Sequence, residues 1–204
     1  IPLLAKGRFY HAGQVCVSVQ RIFCHKSISE KVAERLSSYV ENMQVGDPLD
    51  EKTEIGPLIR PREVNRVHEW VVEASKAGAK IYTGGSPVSE NCFSPTVIYN
   101  PPHEVKVSNS EIFGPVVCIY PYTDIDNAIN LANSLPVAFQ SAVFTQDVDK
   151  AFYISRRLNA SAVMINDHTA FRTDWMPFAG LKESGLGTGG IPYTFHEMCK
   201  ECHQ

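Results

Sequence analysis

Pro61-Arg62-Glu63-Val64-Asn65-Arg66-Val67-His68-Glu69-Trp70-Val71-Val72-Glu73-Ala74-Ser75-Lys76-Ala77-Gly78-Ala79-Lys80-Ile81-Tyr82-Thr83-Gly84-Gly85 reads as a helix that hands the chain to a strand. Proline suits a first helical turn, where its missing N–H costs nothing. Val64, Val67, Val71 and Ala74 recur at three- and four-residue spacing and so share one helical face. Gly78 supplies the stop. Lys80-Ile81-Tyr82-Thr83 is a short β-branched and aromatic run, and Gly84-Gly85 is a turn.

The same alternation extends in both directions. Residues 19–24 read as a strand. Ser27 and Glu30 form a possible capping box ahead of a helix carrying Val32, Leu36, Tyr39, Val40 and Met43, which Gly46 would stop. Residues 96–99, 116–120, 141–145 and 162–166 read as further strands. Asp124 caps a helix with Ile125, Ala128, Leu131 and Ala132 on one face, and Asp147 starts one with Ala151, Phe152, Ser155 and Leu158. Strands alternating with helices predict an α/β domain with a mostly parallel sheet. No repeat or low-complexity linker interrupts residues 1–204, so one domain is the expected count.

With 44% hydrophobic and 20% charged residues, the 204-residue chain has the composition of a globular core. The net charge of −3 comes without a basic run, which points away from nucleic acid and membrane surfaces. No apolar stretch reaches the ~18 residues of a membrane span. The chain opens at Ile1-Pro2-Leu3-Leu4 without a methionine or a signal peptide, and is expected to be a piece of something longer. Its six cysteines, Cys16, Cys24, Cys92, Cys118, Cys199 and Cys202, are expected to be free thiols in a reducing, cytoplasmic setting. Cys199-Lys200-Glu201-Cys202-His203 matches a haem-attachment spacing, but no packed element follows it to build a pocket. No metal site is expected, because no second Cys/His pair has ligand spacing.

In α/β sheets, function gathers at loops beyond the carboxyl ends of strands. Three loops stand out. One is Gly13-Gln14-Val15-Cys16, a thiol ahead of a strand, where backbone amides would favour a cysteine nucleophile. The second is Glu111-Ile112-Phe113-Gly114-Pro115. The third begins at Asn166-Asp167-His168 and continues through Pro177-Phe178-Ala179-Gly180-Leu181-Lys182-Glu183-Ser184-Gly185-Leu186-Gly187.

Together with Ala142-Val143-Phe144-Thr145-Gln146-Asp147, these loops resemble the signatures of the NAD(P)-dependent aldehyde dehydrogenases, in the family's order and over essentially the whole chain. The resemblance implies a three-layer, Rossmann-like α/β/α catalytic domain. It implies that Cys16 is the nucleophile and that its own N–H helps hold the oxyanion. Glu111 would accept hydrogen bonds from the nicotinamide-side ribose and Phe113 would pack near the ring, although a solvent-facing carboxylate and a core anchor are the plainer readings. Phe178 and Trp175 would line the aldehyde's path, with plain core as the alternative for Trp175. Gln14 would order the nucleophile loop. Arg172 would meet an anionic substrate tail, unless it pairs internally with Asp174 or Asp167 or is plainly exposed to solvent. Homo-oligomer formation also follows from the resemblance, with residues 193–198 near a strand that meets a neighbouring subunit.

The chain departs from the family's pattern at several points. His11 stands where the family usually has asparagine, and Ala179 where it has glycine. Val137-Ala138-Phe139 replaces a customary Tyr-Gly-Leu. The family's general-base glutamate, oxyanion asparagine and cofactor-phosphate helix lie upstream of the nucleophile loop and are not found. Gly185-Leu186-Gly187-Thr188-Gly189-Gly190 is no dinucleotide loop, since it follows no long strand and opens no periodic helix. The expected reading is therefore residues 1–204 as a catalytic domain whose cofactor domain is missing, with weak or no binding of NAD or NADP by itself. A non-catalytic assembly module and a cofactor-free thiol esterase are the competing readings. Upstream coding sequence distinguishes the first, and a chromogenic ester the second.

Overall fold

The computed structural model describes residues 1–199, which divide into two compact units after Ala128. In the first unit α1 (Pro2–Phe9) and a short turn (Tyr10–Gly13) precede β1 (Arg21–His25), α2 (Lys26–Val40), α3 (Pro61–Lys76), β2 (Lys80–Thr83), β3 (Thr96–Tyr99), the one-turn α4 (Lys106–Asn109) and β4 (Val116–Tyr122). The sheet order is β1-β4-β3-β2. β4 is parallel to both β1 and β3, whereas β2 and β3 are antiparallel. The sheet is mixed rather than parallel throughout. No helix separates β2 from β3, and only a crossover can return a strand in the parallel sense.

Residues Val116 to Tyr120 are all buried, as a central strand covered on both faces requires. α2 packs across the four strands. α3 buries Val64, Val67, Val71 and Ala74, the face read from their spacing. Both boundaries of α2 differ from expectation. The N-cap of α2 is His25, whose Nδ1 accepts the Ser27 N–H at 3.3 Å, so Ser27 lies inside the helix. β1 runs straight into α2 and leaves no room for a separate cap. The helix also ends at Val40, well before Gly46, whose N–H bonds Ile55 O instead.

α5 (Ile125–Asn133) continues the chain into the second unit. There β5 (Val137–Ala138) pairs antiparallel with β8 (Leu181–Lys182). β6 (Gln140–Val143) pairs parallel with β7 (Ala162–Ile165) across α6 (Val148–Ser155), and α7 (Ile191–Met198) follows. Asp147 caps α6 through the Lys150 N–H at 3.1 Å. Residues 193–198, placed near a pairing strand by the family resemblance, lie in the helix α7. The haem-like spacing at Cys199 extends beyond the described residues.

Cys118 sits on β4 with no exposure. Burial pushes its thiol up to about 12, against the hydrogen bond from Tyr120 and the charges of Arg8 and Arg21. Above pH 9 the unfolded thiol loses its proton while the folded one keeps it. The folded state then binds more protons, and stability falls as pH rises towards 12, by about 1.4 kcal/mol per unit. Urea unfolding at about pH 8 and about pH 10.5 should show a smaller alkaline loss in Cys118→Ala than in the wild type. Equal losses would remove Cys118 from the account.

Candidate active site

The nucleophile loop begins with an unusual backbone. His11, Ala12 and Gly13 have φ of 49°, 55° and 71°, three consecutive left-handed residues. Such residues cost roughly 1–2 kcal/mol each unless they are glycine, so surrounding contacts must hold them. Gly13 lies against the Gly114 carbonyl, where an added Cβ would come within 2.4 Å of the oxygen. Gln14 fastens the loop outward. Its Nε2 donates to His11 O and Pro57 O, both at 3.2 Å, and its Oε1 accepts the Ile59 N–H at 3.0 Å. The chain then turns from Val15 to Ser18, closed by Ser18 N to Val15 O at 2.9 Å. Cys16 occupies a corner of that turn and is exposed. Among the described residues nothing accepts the Cys16 N–H. Burial first, and the Cys16 thiol second, push the neighbouring Tyr10 hydroxyl up.

The second loop alternates. Glu111 is exposed, Ile112 is fully buried, and Phe113 is 41% exposed with φ of 48°. Ile112 is thus the core anchor, and Phe113 is presented to solvent beside Glu111. Side chains hold this loop by its backbone. Gln20 Nε2 donates to Ser110 O at 2.8 Å and Val107 O at 3.3 Å, and its Oε1 accepts the Ile112 N–H at 2.9 Å. Arg66 donates to Ile112 O at 2.7 Å and pairs with Glu63 at 2.7 Å. Arg8, 2% exposed, donates to Gly114 O. Burial lowers the Arg8 guanidinium to about 10, partly opposed by Cys118 and Glu111, so it stays charged at neutral pH.

The third loop belongs to the second unit. Phe178 meets Phe139 edge-on, with ring centroids 4.9 Å apart, and the Arg172 guanidinium lies 4.4 Å from the Phe178 centroid. A stacked guanidinium keeps its edge for an anion. Arg172 is exposed and is in none of the ion pairs found among the described residues, so the alternative of an internal pair with Asp174 or Asp167 does not form, whereas that of solvent exposure fits. Trp175 is 72% exposed, which excludes a core role within this chain. The signature's Lys182 and Ser184 face the fold. Lys182 Nζ donates to Asn133 O and Leu135 O at 2.8 and 2.7 Å, and Ser184 Oγ accepts the Ala138 N–H at 3.0 Å.

Sequence reasoning named Cys16, Glu111, Phe113, Phe178, Trp175 and Arg172 as candidates, and did not name Arg8, Gln20 and Arg66, which brace the loop that carries Glu111 and Phe113. No spacing marks them, because each reaches a backbone group far along the chain. No group of three His, Cys, Asp or Glu side chains among the described residues is placed to hold a metal ion.

A nicotinamide nucleotide fits the second loop chemically. It offers an exposed carboxylate for ribose hydroxyls and an exposed aromatic face side by side. The model of the aldehyde dehydrogenase family matches residues 1–203. The chain belongs to the aldehyde dehydrogenase family. Among similar proteins, 3-sulfolactaldehyde dehydrogenase of Priestia aryabhattai is 40% identical over 199 residues, covering 98% of this chain and 42% of the relative. Aldehyde dehydrogenase 21 of Physcomitrella patens, solved with the reaction product succinate, superposes with a TM-score of 0.93 at 36% identity, covering 97% of this chain and 41% of that one. Glyceraldehyde-3-phosphate dehydrogenase of Methanocaldococcus jannaschii, solved with NADP, gives 0.92 at 38% identity, covering 97% and 42%. This aldehyde dehydrogenase chain therefore spans about two fifths of the length of its relatives. The family oxidises aldehydes with NAD(P), and the α/β fold is shared with its solved members.

Proposed function

We propose that the chain supplies the nucleophile and the nicotinamide-side contacts for oxidation of an aldehyde to a carboxylate, and that the aldehyde carries an anionic tail. The exposed Cys16 carries the first part. It stands at a turn corner with its own N–H unclaimed among the described residues, on a loop braced against the Glu111–Pro115 segment. The Cys16 thiolate adds to the carbonyl carbon, and the resulting oxyanion is held in part by the Cys16 N–H. NAD(P), when bound, supplies the hydride acceptor. The acyl group left on Cys16 is a thioester, which water hydrolyses to the acid while the thiol is regenerated. Glu111 holds the ribose hydroxyls and Phe113 packs beside the ring. The family resemblance assigns Phe178 and Trp175 to the aldehyde's path.

Arg172 supports the anionic tail. Its planar cation is stacked on Phe178 and, among the described residues, pairs with no carboxylate. Similar proteins named for 3-sulfolactaldehyde and glyceraldehyde-3-phosphate, and one solved with succinate, involve anionic compounds, whereas others are named for lactaldehyde and betaine aldehyde, which are not anionic, so the tail rests on Arg172. A charge-assisted hydrogen bond of this kind contributes roughly 1.5–3 kcal/mol. In an enzyme carrying this chain, Arg172→Ala should lower kcat/KM for a short anionic aldehyde by about 10- to 100-fold and leave a neutral one of equal length within about threefold. Equal losses on the two substrates would assign Arg172 to structure.

A further inference from the structure

Glu111 lies between two peptide groups, and one side chain holds both. Gln20 Nε2 donates to the Ser110 carbonyl, which precedes Glu111, and Gln20 Oε1 accepts the Ile112 N–H, which follows it. Fixing the peptide planes on both sides of a Cα fixes its φ and ψ, the only soft backbone dihedrals it has. The direction of the Glu111 Cα–Cβ bond, from which its carboxylate departs, is then set by Gln20. The root of Gln20 is itself anchored, because its carbonyl accepts the Cys118 N–H of the central strand at 2.9 Å.

We propose that Gln20 is a positioning residue that aims Glu111, with Arg66 and Arg8 extending the same backbone clamp through Phe113. Arg66 takes Ile112 O and Arg8 takes Gly114 O, the carbonyls on either side of Phe113. Phe113 is forced to φ of 48°, a conformation a bulky residue adopts only when its surroundings over-determine it. The clamp holds the loop backbone by contacts made within the chain itself, and pre-organisation of this kind raises affinity. The role of the aimed carboxylate rests on the cofactor reading above; the clamp itself does not.

The test starts with amide hydrogen exchange on the 204-residue chain. Gln20→Met keeps the length and removes donor and acceptor, and Gln20→Asn is too short to bridge both peptides. Both variants should speed exchange at Ile112 by about tenfold or more. Cys118, whose N–H depends only on the Gln20 backbone, should stay within about twofold of wild type. Unchanged Ile112 exchange, or equal acceleration at Ile112 and Cys118, would overturn the clamp. In an enzyme carrying the chain, Gln20→Met should then raise KM for NAD(P) about tenfold with kcat within about threefold. A fall in kcat alone would overturn the aiming of Glu111. If Glu111→Gln leaves the cofactor KM unchanged, the cofactor reading fails, and the exchange result still decides the clamp.

Discussion

Cys16→Ala is expected to lower aldehyde oxidation by at least about a thousandfold in an enzyme carrying this chain, because nothing replaces the covalent step. The fold should be indifferent to the change, since Cys16 is exposed at a turn corner and contributes no core packing. Steady-state NAD(P)H formation measures the first effect, and the unfolding midpoint the second. The thiol itself can be followed in the isolated chain. Iodoacetamide should modify Cys16 before Cys24, Cys92 and Cys118, which are all buried, while the exposed Cys199 competes through access alone. A Cys16 slower than the buried thiols, or a Cys16→Ala enzyme retaining a tenth of its activity, would end the nucleophile assignment.

The second large effect is expected at Gly13. An alanine there would adopt φ of 71° and place its Cβ 2.4 Å from the Gly114 carbonyl oxygen and 3.2 Å from Arg8 Cζ. Left-handed strain of roughly 1–2 kcal/mol adds to overpacking of roughly 1–3 kcal/mol. Gly13→Ala should therefore lose about 2–5 kcal/mol of stability in urea unfolding, and the relief of the clash should move the nucleophile loop away from Gly114. Gly78→Ala is the matched control. Its φ is 98° but nothing lies within 4 Å of the new Cβ, so strain alone applies. Similar losses in the two variants would show that the approach of Gly13 to Gly114 carries little energy.

These predictions draw on features of unequal visibility in the sequence. The face of α3 was legible because Val64, Val67, Val71 and Ala74 are spaced as a helix buries them, between a proline and a glycine that mark its ends. β2 and β3 were legible as short β-branched runs between turn residues. α1 was not. It holds Gly7 and the buried Arg8 and has no acidic residue in its first turn, so neither periodicity nor capping announces it. The two-residue strands β5 and β8 are too short to carry a pattern, and α7 mixes proline, tyrosine, threonine and phenylalanine, residues that favour strands or breaks as much as helices.

The site divides in the same way. The identities of Cys16, Glu111, Phe113 and Phe178 were readable from motifs, because each motif is contiguous. That Phe113 faces solvent while Ile112 is the anchor needed the fold, since the motif does not say which of two adjacent apolar residues is covered. That Arg172 stacks on Phe178 instead of pairing with Asp174 needed it too.

By itself the sequence determined the α/β class, the helix and strand identities with strong periodicity, and the residues proposed for chemistry, because these depend on spacing within about a dozen positions. Only the tertiary structure decided the mixed sheet and the clamp around Glu111. Gln20 reaches the loop across 90 and 92 residues of chain, and Arg8 reaches Gly114 across 106. Each of these contacts is to a backbone carbonyl or N–H, groups that almost every residue carries, so no sequence pattern names the partner and only the folded geometry selects it.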